Sequence, residues 1–332
     1  MMKFSAMRVI VDRTERGLPS VADDLVTLWP HDSGSPVEVR SSTNFVFRFS
    51  HLGSNRYLRF SEVTEKDPEH VRTELAFLAH LAEVGIKVAS PIPSLSGNCF
   101  EIMEKGGRSY HAVVFEEAPG RPGRLEEMTG AMLEQGGRVL GRIHQASIPF
   151  SRMGHPRDTV ETHVALCRKY LADEPRQVRD ELDRVVEWLG GLPRDESVFG
   201  LIHYDFETDN IFWEGDSCTV IDFDDMVYHW YAADVAVVIE KTEDLPPDKS
   251  TVAINAFLSG YTRERKTDET FMRQIPGFRR LIALVRHARI LRSMECVMRG
   301  DEMPWEVGLR AKLSAWLANS RSRIGLIPFQ WP

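Results

Sequence analysis

The hydrophobic period of this chain changes once, near the Gly- and Pro-rich stretch at residues 119–123, and that change restricts the fold more than any other feature. Before it, over residues 37–61, side chains alternate with a period of two. Asn44-Phe45-Val46-Phe47-Arg48-Phe49 and Tyr57-Leu58-Arg59-Phe60 flank the turn-forming His51-Leu52-Gly53-Ser54-Asn55, which predicts a hairpin. A helix follows, with Asp67 as N-cap, Pro68 in the first turn, Gly85 as its stop, and Val71, Leu75, Leu78 and Ala82 on one face. Residues 99–103 and 112–115 read as further short strands. Beyond the Gly/Pro stretch the period is near 3.6: Met132, Gly136, Val139, Leu140 and Ile143 share one face of a helix ending near His144, and residues 167–189 form another. Short strand-like runs at 198–203, 210–213 and 219–223 are separated by acidic turns, and residues 251–261, 278–298 and 306–318 are helical again. Strands first and helices after predict an α+β chain of two lobes: a small strand-rich N-terminal lobe, residues 1–118, and a larger, mainly helical C-terminal lobe, residues 119–332.

Composition sets the outer limits. Of 332 residues, 42% are hydrophobic and 27% charged, enough to bury a sizeable core. The 41 Lys and Arg against 49 Asp and Glu leave a net charge of -8, which argues against a nucleic-acid or anionic-membrane binder and suits a neutral or cationic small substrate. Cys99, Cys167, Cys218 and Cys296 are far apart in the chain and without zinc-ligand spacing, so they read as reduced thiols. No apolar run reaches the roughly 20 residues of a membrane helix, and residues 1–12 lack the features of a secretory signal; a cytoplasmic protein is expected.

The chemically informative segment is His203-Tyr204-Asp205-Phe206-Glu207-Thr208-Asp209-Asn210-Ile211, followed by Val220-Ile221-Asp222-Phe223-Asp224. Asp-x-x-x-x-Asn and then an Asp ending an apolar strand is the spacing of a kinase catalytic loop and its metal-binding Asp. Phosphoryl transfer needs a carboxylate beside the acceptor hydroxyl and oxygen ligands for the Mg²⁺ on the nucleotide phosphates. A short loop can place Asp205 towards the acceptor while Asn210, a turn later, faces the metal beside Asp222 on the next strand.

Together with Val139-Leu140-Gly141-Arg142-Ile143-His144 and Val114-Phe115-Glu116-Glu117-Ala118-Pro119-Gly120, these motifs resemble the aminoglycoside phosphotransferase and choline kinase superfamily, which includes homoserine kinase type II. The resemblance spans about residues 35–320 and implies a protein kinase-like two-lobe fold, ATP and Mg²⁺ as cofactors, and a small hydroxylated, cationic or neutral acceptor. It implies Asp205 as catalytic base, Asn210 and Asp222 as metal ligands, and the backbone of Glu116 and Ala118 as an adenine-binding hinge. Ser42 and Thr43 would contact phosphates between the lobes, with Arg59, in the place of the usual Lys, paired to Glu74. The phosphate turn Arg40-Ser41-Ser42-Thr43-Asn44 lacks the glycines of protein kinases, and Tyr204 stands where a small residue is usual.

Other readings accompany these. A nucleotide-binding pseudokinase is the alternative suggested by Arg59 and the missing glycines, and a protein Ser/Thr kinase is opposed by the lack of an Ala-Pro-Glu segment after Asp222. His203 and His144 read as structural, and Asp234 as a helix cap that braces the loop. Glu207, Asp209, Asp224 and Tyr228 are candidate acceptor contacts. Tyr228-His229-Trp230-Tyr231 is either a cation-binding box or a packing cluster, and the Arg-rich face of residues 279–299 reads as solvated.

Overall fold

The computed structural model describes residues 1–327 other than 243, 297 and 299. Two helices come first, α1 (Phe4–Glu15) and α2 (Val21–Val26). Then follow β1 (Val37–Ser41), β2 (Phe45–His51), β3 (Ser54–Glu62), α3 (Pro68–Glu83), β4 (Pro91–Ile92), β5 (Glu101–Lys105) and β6 (Arg108–Glu116). After β7 (Arg121–Pro122) come α4 (Gly130–Ser151), α5 (Val160–Tyr170) and α6 (Arg176–Gly190), then β8 (Phe199–Ile202), β9 (Ile211–Glu214), β10 (Ser217–Val220) and β11 (Val227–Trp230). The chain closes with α7 (Tyr231–Thr242), α8 (Pro247–Glu264), α9 (Glu269–Ser293) and α10 (Pro304–Arg323). The strand-rich beginning and helical remainder follow the expected order.

Several boundaries differ from the periodicity reading for identifiable reasons. Residues 167–189 are two helices, because Pro175 has no N–H to continue one and instead sits at the N-cap of α6. Helix α4 continues past His144 through Pro149 to bury Phe150. On α3, Asp67 does cap the helix, its carboxylate accepting the Glu69 amide at 2.9 Å. The buried face is rotated from the expected one, however: Phe77 and Leu81 are inside and Ala82 is exposed, since the larger side chains gain more from burial.

The chain forms two compact units. The first gathers Met1–Leu75, Ala89–Glu117 and Arg289–Asn319. Its antiparallel sheet has the order β1-β2-β3-β6-β4, with β5 also paired to β6. Phe45 lies opposite Phe60 and Phe47 opposite Leu58, so the period-two residues Phe45, Phe47 and Phe49 line one face. Phe4, Met7 and Ile10 of α1, with Leu25 and Trp29, cover that face. The second unit gathers Ala76–Val88, Ala118–Ala288 and the segment from Ser320 onward. Here α4 and α8 touch through glycines: a Cβ on Gly137 would fall 2.0 Å from the Phe257 carbonyl, and one on Gly260 would fall 1.8 Å from that of Glu134. The pairs β8–β11 and β9–β10 frame the segment 203–210 and place Asp222 two residues past the end of β10.

Candidate active site

The loop after β8 is held by one carboxylate. Asp234, fully buried in the first turn of α7, accepts the His203 amide at 2.8 Å and the Tyr204 amide at 2.5 Å. It also accepts from His144 Nε2 at 3.0 Å, whose Nδ1 in turn meets the Tyr261 hydroxyl at 2.8 Å. Burial holds the His144 imidazole below its usual pKa, although Asp234 opposes the shift, so the ring is neutral and structural. Asp234 therefore braces the loop, as expected, by bonding amides thirty residues upstream rather than capping its own helix. His203 is also structural: its Nε2 lies 3.1 Å from the Ile221 carbonyl and its Nδ1 accepts the Asp205 amide at 3.3 Å.

These bonds hold an unusual backbone. Tyr204 and Asp222 both have positive φ, 64° and 62°, and neither is glycine. A left-handed L-residue costs roughly 1–2 kcal/mol, so the surroundings must supply the difference. For Tyr204 the ring does part of this, packing against His163 and His229 at centroid distances of 4.8 and 5.7 Å. Asp234→Asn keeps the shape but replaces one acceptor by a donor facing buried N–H groups. It should lower stability by about 1–3 kcal/mol and speed amide exchange at His203 and Tyr204; thermal melts and exchange measured together check both.

Asp205 and Asn210 are joined directly. Asn210 Nδ2 donates to the Asp205 backbone carbonyl and to its carboxylate Oδ2, each at 2.9 Å, which directs the amide oxygen of Asn210 elsewhere. Burial first, then the carboxylates of Asp225, Glu207 and Asp222, push the Asp205 carboxyl up to about 8, against the Asn210 bond. An oxygen-only donor set with mutually repelling carboxylates suits a hard divalent cation. Among the described residues no three His, Cys, Asp or Glu side chains are grouped as a metal cluster.

In the first unit, Arg59 on β3 grips Glu74 on α3 with two parallel bonds of 2.8 and 2.7 Å, and its guanidinium lies 5.0 Å from the Phe115 ring centre. Both charges are buried, at 8% and 1% exposure. Removing the cation would strand a buried carboxylate, so Arg59→Met should cost about 3–5 kcal/mol, while Arg59→Lys should cost less; urea titration distinguishes them. Ser42 and Thr43 lie half-buried in the turn between β1 and β2. Glu116 ends β6 with its amide on the Ser90 carbonyl at 3.0 Å. The next residue, Glu117, is held by Asn55 Nδ2 at 3.0 Å and the Tyr57 hydroxyl at 3.1 Å, two supports that the strand alternation does not reveal. Ala118 follows as the first residue of the second unit's middle segment.

The acceptor-side candidates are spread over different environments. Glu207 is engaged by Lys241 and Arg286, both at 3.0 Å, and Arg286 also reaches Glu240 at 2.8 Å, so any cationic acceptor at Glu207 must compete with two resident cations. Asp209 is exposed, Asp224 is buried, and the Tyr228 hydroxyl donates to the His155 carbonyl at 3.2 Å. The aromatic run is a packing cluster: Trp230 is fully buried, 5.1 Å from Phe199 and 5.6 Å from Phe278. The Arg-rich face of α9 is not simply solvated either. Arg280 is buried against Glu181, and Arg286 pairs with Glu207.

The sequence profile of the phosphotransferase enzyme family matches residues 36–275. The chain belongs to that family. It is an enzyme, a small-molecule kinase. Amicoumacin kinase of Bacillus subtilis strain 168 is 27% identical over 250 residues, covering 72% of this chain and 74% of the relative. Among solved structures, the amicoumacin kinase hAmiN in complex with AMP-PNP, Ca²⁺ and Ami superposes with a TM-score of 0.79 at 22% identity, covering 93% of this chain and 94% of the other. A microcompartment-associated aminopropanol kinase follows at 0.69 and 19% identity, covering 91% and 96%. The kinase-like fold implied by the motifs is thus the fold of this chain. No helix among the described residues is long and apolar enough to cross a membrane.

Proposed function

We propose that this phosphotransferase moves the γ-phosphoryl group of ATP onto a hydroxyl of a small molecule that also carries an amine. The observation that carries this reading is the Asp205–Asn210 pair on a loop anchored by Asp234, beside Asp222. Asp205 orients the acceptor hydroxyl and takes its proton as the new O–P bond forms and the bond to ADP breaks. Asn210, through its amide oxygen, and Asp222 hold the metal, and Arg59, kept in place by Glu74, steadies the donor phosphates with Ser42 and Thr43. When bound, the divalent cation offsets the charge on the phosphate oxygens and favours the ionised form of Asp205. Glu116 and Ala118 offer backbone groups to the adenine.

The amine is argued from charge. Asp209, Asp222, Asp224 and Asp225 lie within 17 residues of the sequence, in a chain of net charge -8. One structural relative is, by its name, a kinase of an amino alcohol, and others are named for amicoumacin. The test is ATP consumption by the purified protein against a panel of amino alcohols, hydroxylated antibiotics with and without amines, and neutral sugars. Turnover confined to amine-bearing members supports the assignment; preference for neutral sugars overturns it. ATP binding without turnover on any member would instead favour a pseudokinase.

A further inference from the structure

The segment between α4 and α5, His155-Pro156-Arg157-Asp158-Thr159, has no part in the chemistry above, yet it is fastened to the turn that follows Asp222. Arg157 is buried, at 8% exposure. Its Nε donates to the Met226 carbonyl, and its Nη2 donates to the Asp224 carbonyl and, at 3.5 Å, to that of Phe223. Around it, the Tyr228 amide donates to the Asp158 carbonyl at 2.9 Å, the Tyr228 hydroxyl to that of His155 at 3.2 Å, and Thr159 forms a parallel bridge with Tyr228.

The turn it grips is short: residues Phe223–Asp225 make one 3₁₀ turn directly after the left-handed Asp222. The Phe223 carbonyl accepts the Met226 amide at 3.2 Å, and the Asp224 and Met226 carbonyls are met by the buried Arg157 guanidinium. A guanidinium is planar and presents its donors in a fixed fork, so it sets the carbonyls of residues 223, 224 and 226 relative to one another. Asp222, directly before this turn, is left-handed at φ 62°, and its charge acts on Asp205.

We propose that Arg157 is a positioning residue for the metal site, holding the turn after Asp222 so that Asp222 keeps its left-handed conformation and its carboxylate stays on the metal. This rests on the assignment of Asp222 as a metal ligand. Supporting groups around a ligand commonly carry 10- to 100-fold in metal affinity.

The test uses the full-length chain and its variants Arg157→Met, Arg157→Lys and Asp222→Ala. Calorimetry measures ATP affinity in EDTA and over graded Mg²⁺, beside melting temperature and turnover. In Arg157→Met, metal-free ATP affinity should be unchanged while the Mg²⁺ concentration that half-saturates the metal-dependent gain rises about 10- to 100-fold. Arg157→Lys, which keeps the charge but not the fork, should show a smaller rise and recover near-normal kcat at saturating Mg²⁺. A folded variant with an unchanged Mg²⁺ requirement overturns the proposal, and so does failure of both variants to fold, which would make Arg157 a stability residue alone. Asp222→Ala separates the two levels: if it leaves the Mg²⁺ dependence intact, the metal assignment itself is wrong, whereas a loss there with no effect at Arg157 removes only the positioning role.

Discussion

Asp205→Asn should fold, bind ATP with near-normal affinity and transfer phosphate on the order of 10²- to 10⁴-fold more slowly. The amide can still accept the acceptor hydroxyl's hydrogen bond but cannot take its proton. In the proposed site the nucleotide is held by other groups, so affinity should be spared. The same substitution should also raise stability, and the sign follows from the shifted carboxyl. Unfolded, Asp205 loses its proton near 3.8; folded and without metal, it keeps the proton up to about 8. Between these values the unfolded chain binds fewer protons, so stability falls as pH rises. The contribution is intact below 3.8 and lost as pH passes through about 8. An Asn at this position has no such proton. The variant should therefore melt above the wild type at neutral pH in EDTA, with the gap closing toward pH 4. A loop-capping role predicts the reverse: lower melting, with activity falling only as folded protein is lost. Near-normal turnover in a folded variant would remove Asp205 from the reaction.

Asp222→Ala should abolish the dependence of nucleotide affinity on divalent metal, a loss of at least about 100-fold at saturating Mg²⁺, with turnover falling in parallel. In the proposed site Asp222 would be the charged ligand, carried just past the end of a strand, and Asn210 would contribute only a neutral oxygen. A second consequence is electrostatic. The Asp222 charge is one of those that raise Asp205, after burial, Asp225 and Glu207. Deleting it should bring the Asp205 carboxyl down, so the metal-free variant should lose less stability between pH 4 and 8 than the wild type. Calorimetry with and without Mg²⁺, and melts across that pH range, read the two effects separately. Unchanged Mg-ATP binding would show that the metal is held elsewhere.

The division between what the sequence discloses and what it hides follows chain distance. Asp205, Asn210 and Asp222 fall within 18 residues, and a loop with two strands fixes their spacing locally. Strands β2 and β3 were equally legible, since alternation and a Gly turn act over a few residues. The supports of the site were not. Arg157 grips carbonyls up to 69 residues away, and Arg286 meets Glu207 across 79. An arginine facing a core carbonyl looks, in sequence, like any solvated arginine. Asp234 was suggested by its position before an apolar helix, but its true partners lie upstream, beyond the reach of a capping rule. The first two helices escaped notice for another reason: α2 has six residues, and the apolar face of α1 is interrupted by Arg8, which is buried only because Glu306 meets it with bonds of 2.5 and 2.6 Å.

The Asp234 anchor bears on how the enzyme responds to its ligands. Many active-site loops close over substrate and meet the entropy of ordering at every turnover. Here two amides of the loop end on a carboxylate with no solvent exposure, so that ordering belongs to folding and is complete before any ligand arrives. The loop should then be among the last parts of its unit to open, exchanging its amide protons on the timescale of global unfolding rather than of catalysis. Variation in acceptor preference would in that case accumulate in segments not bound to Asp234, leaving the geometry around Asp205 constant while the substrate changes.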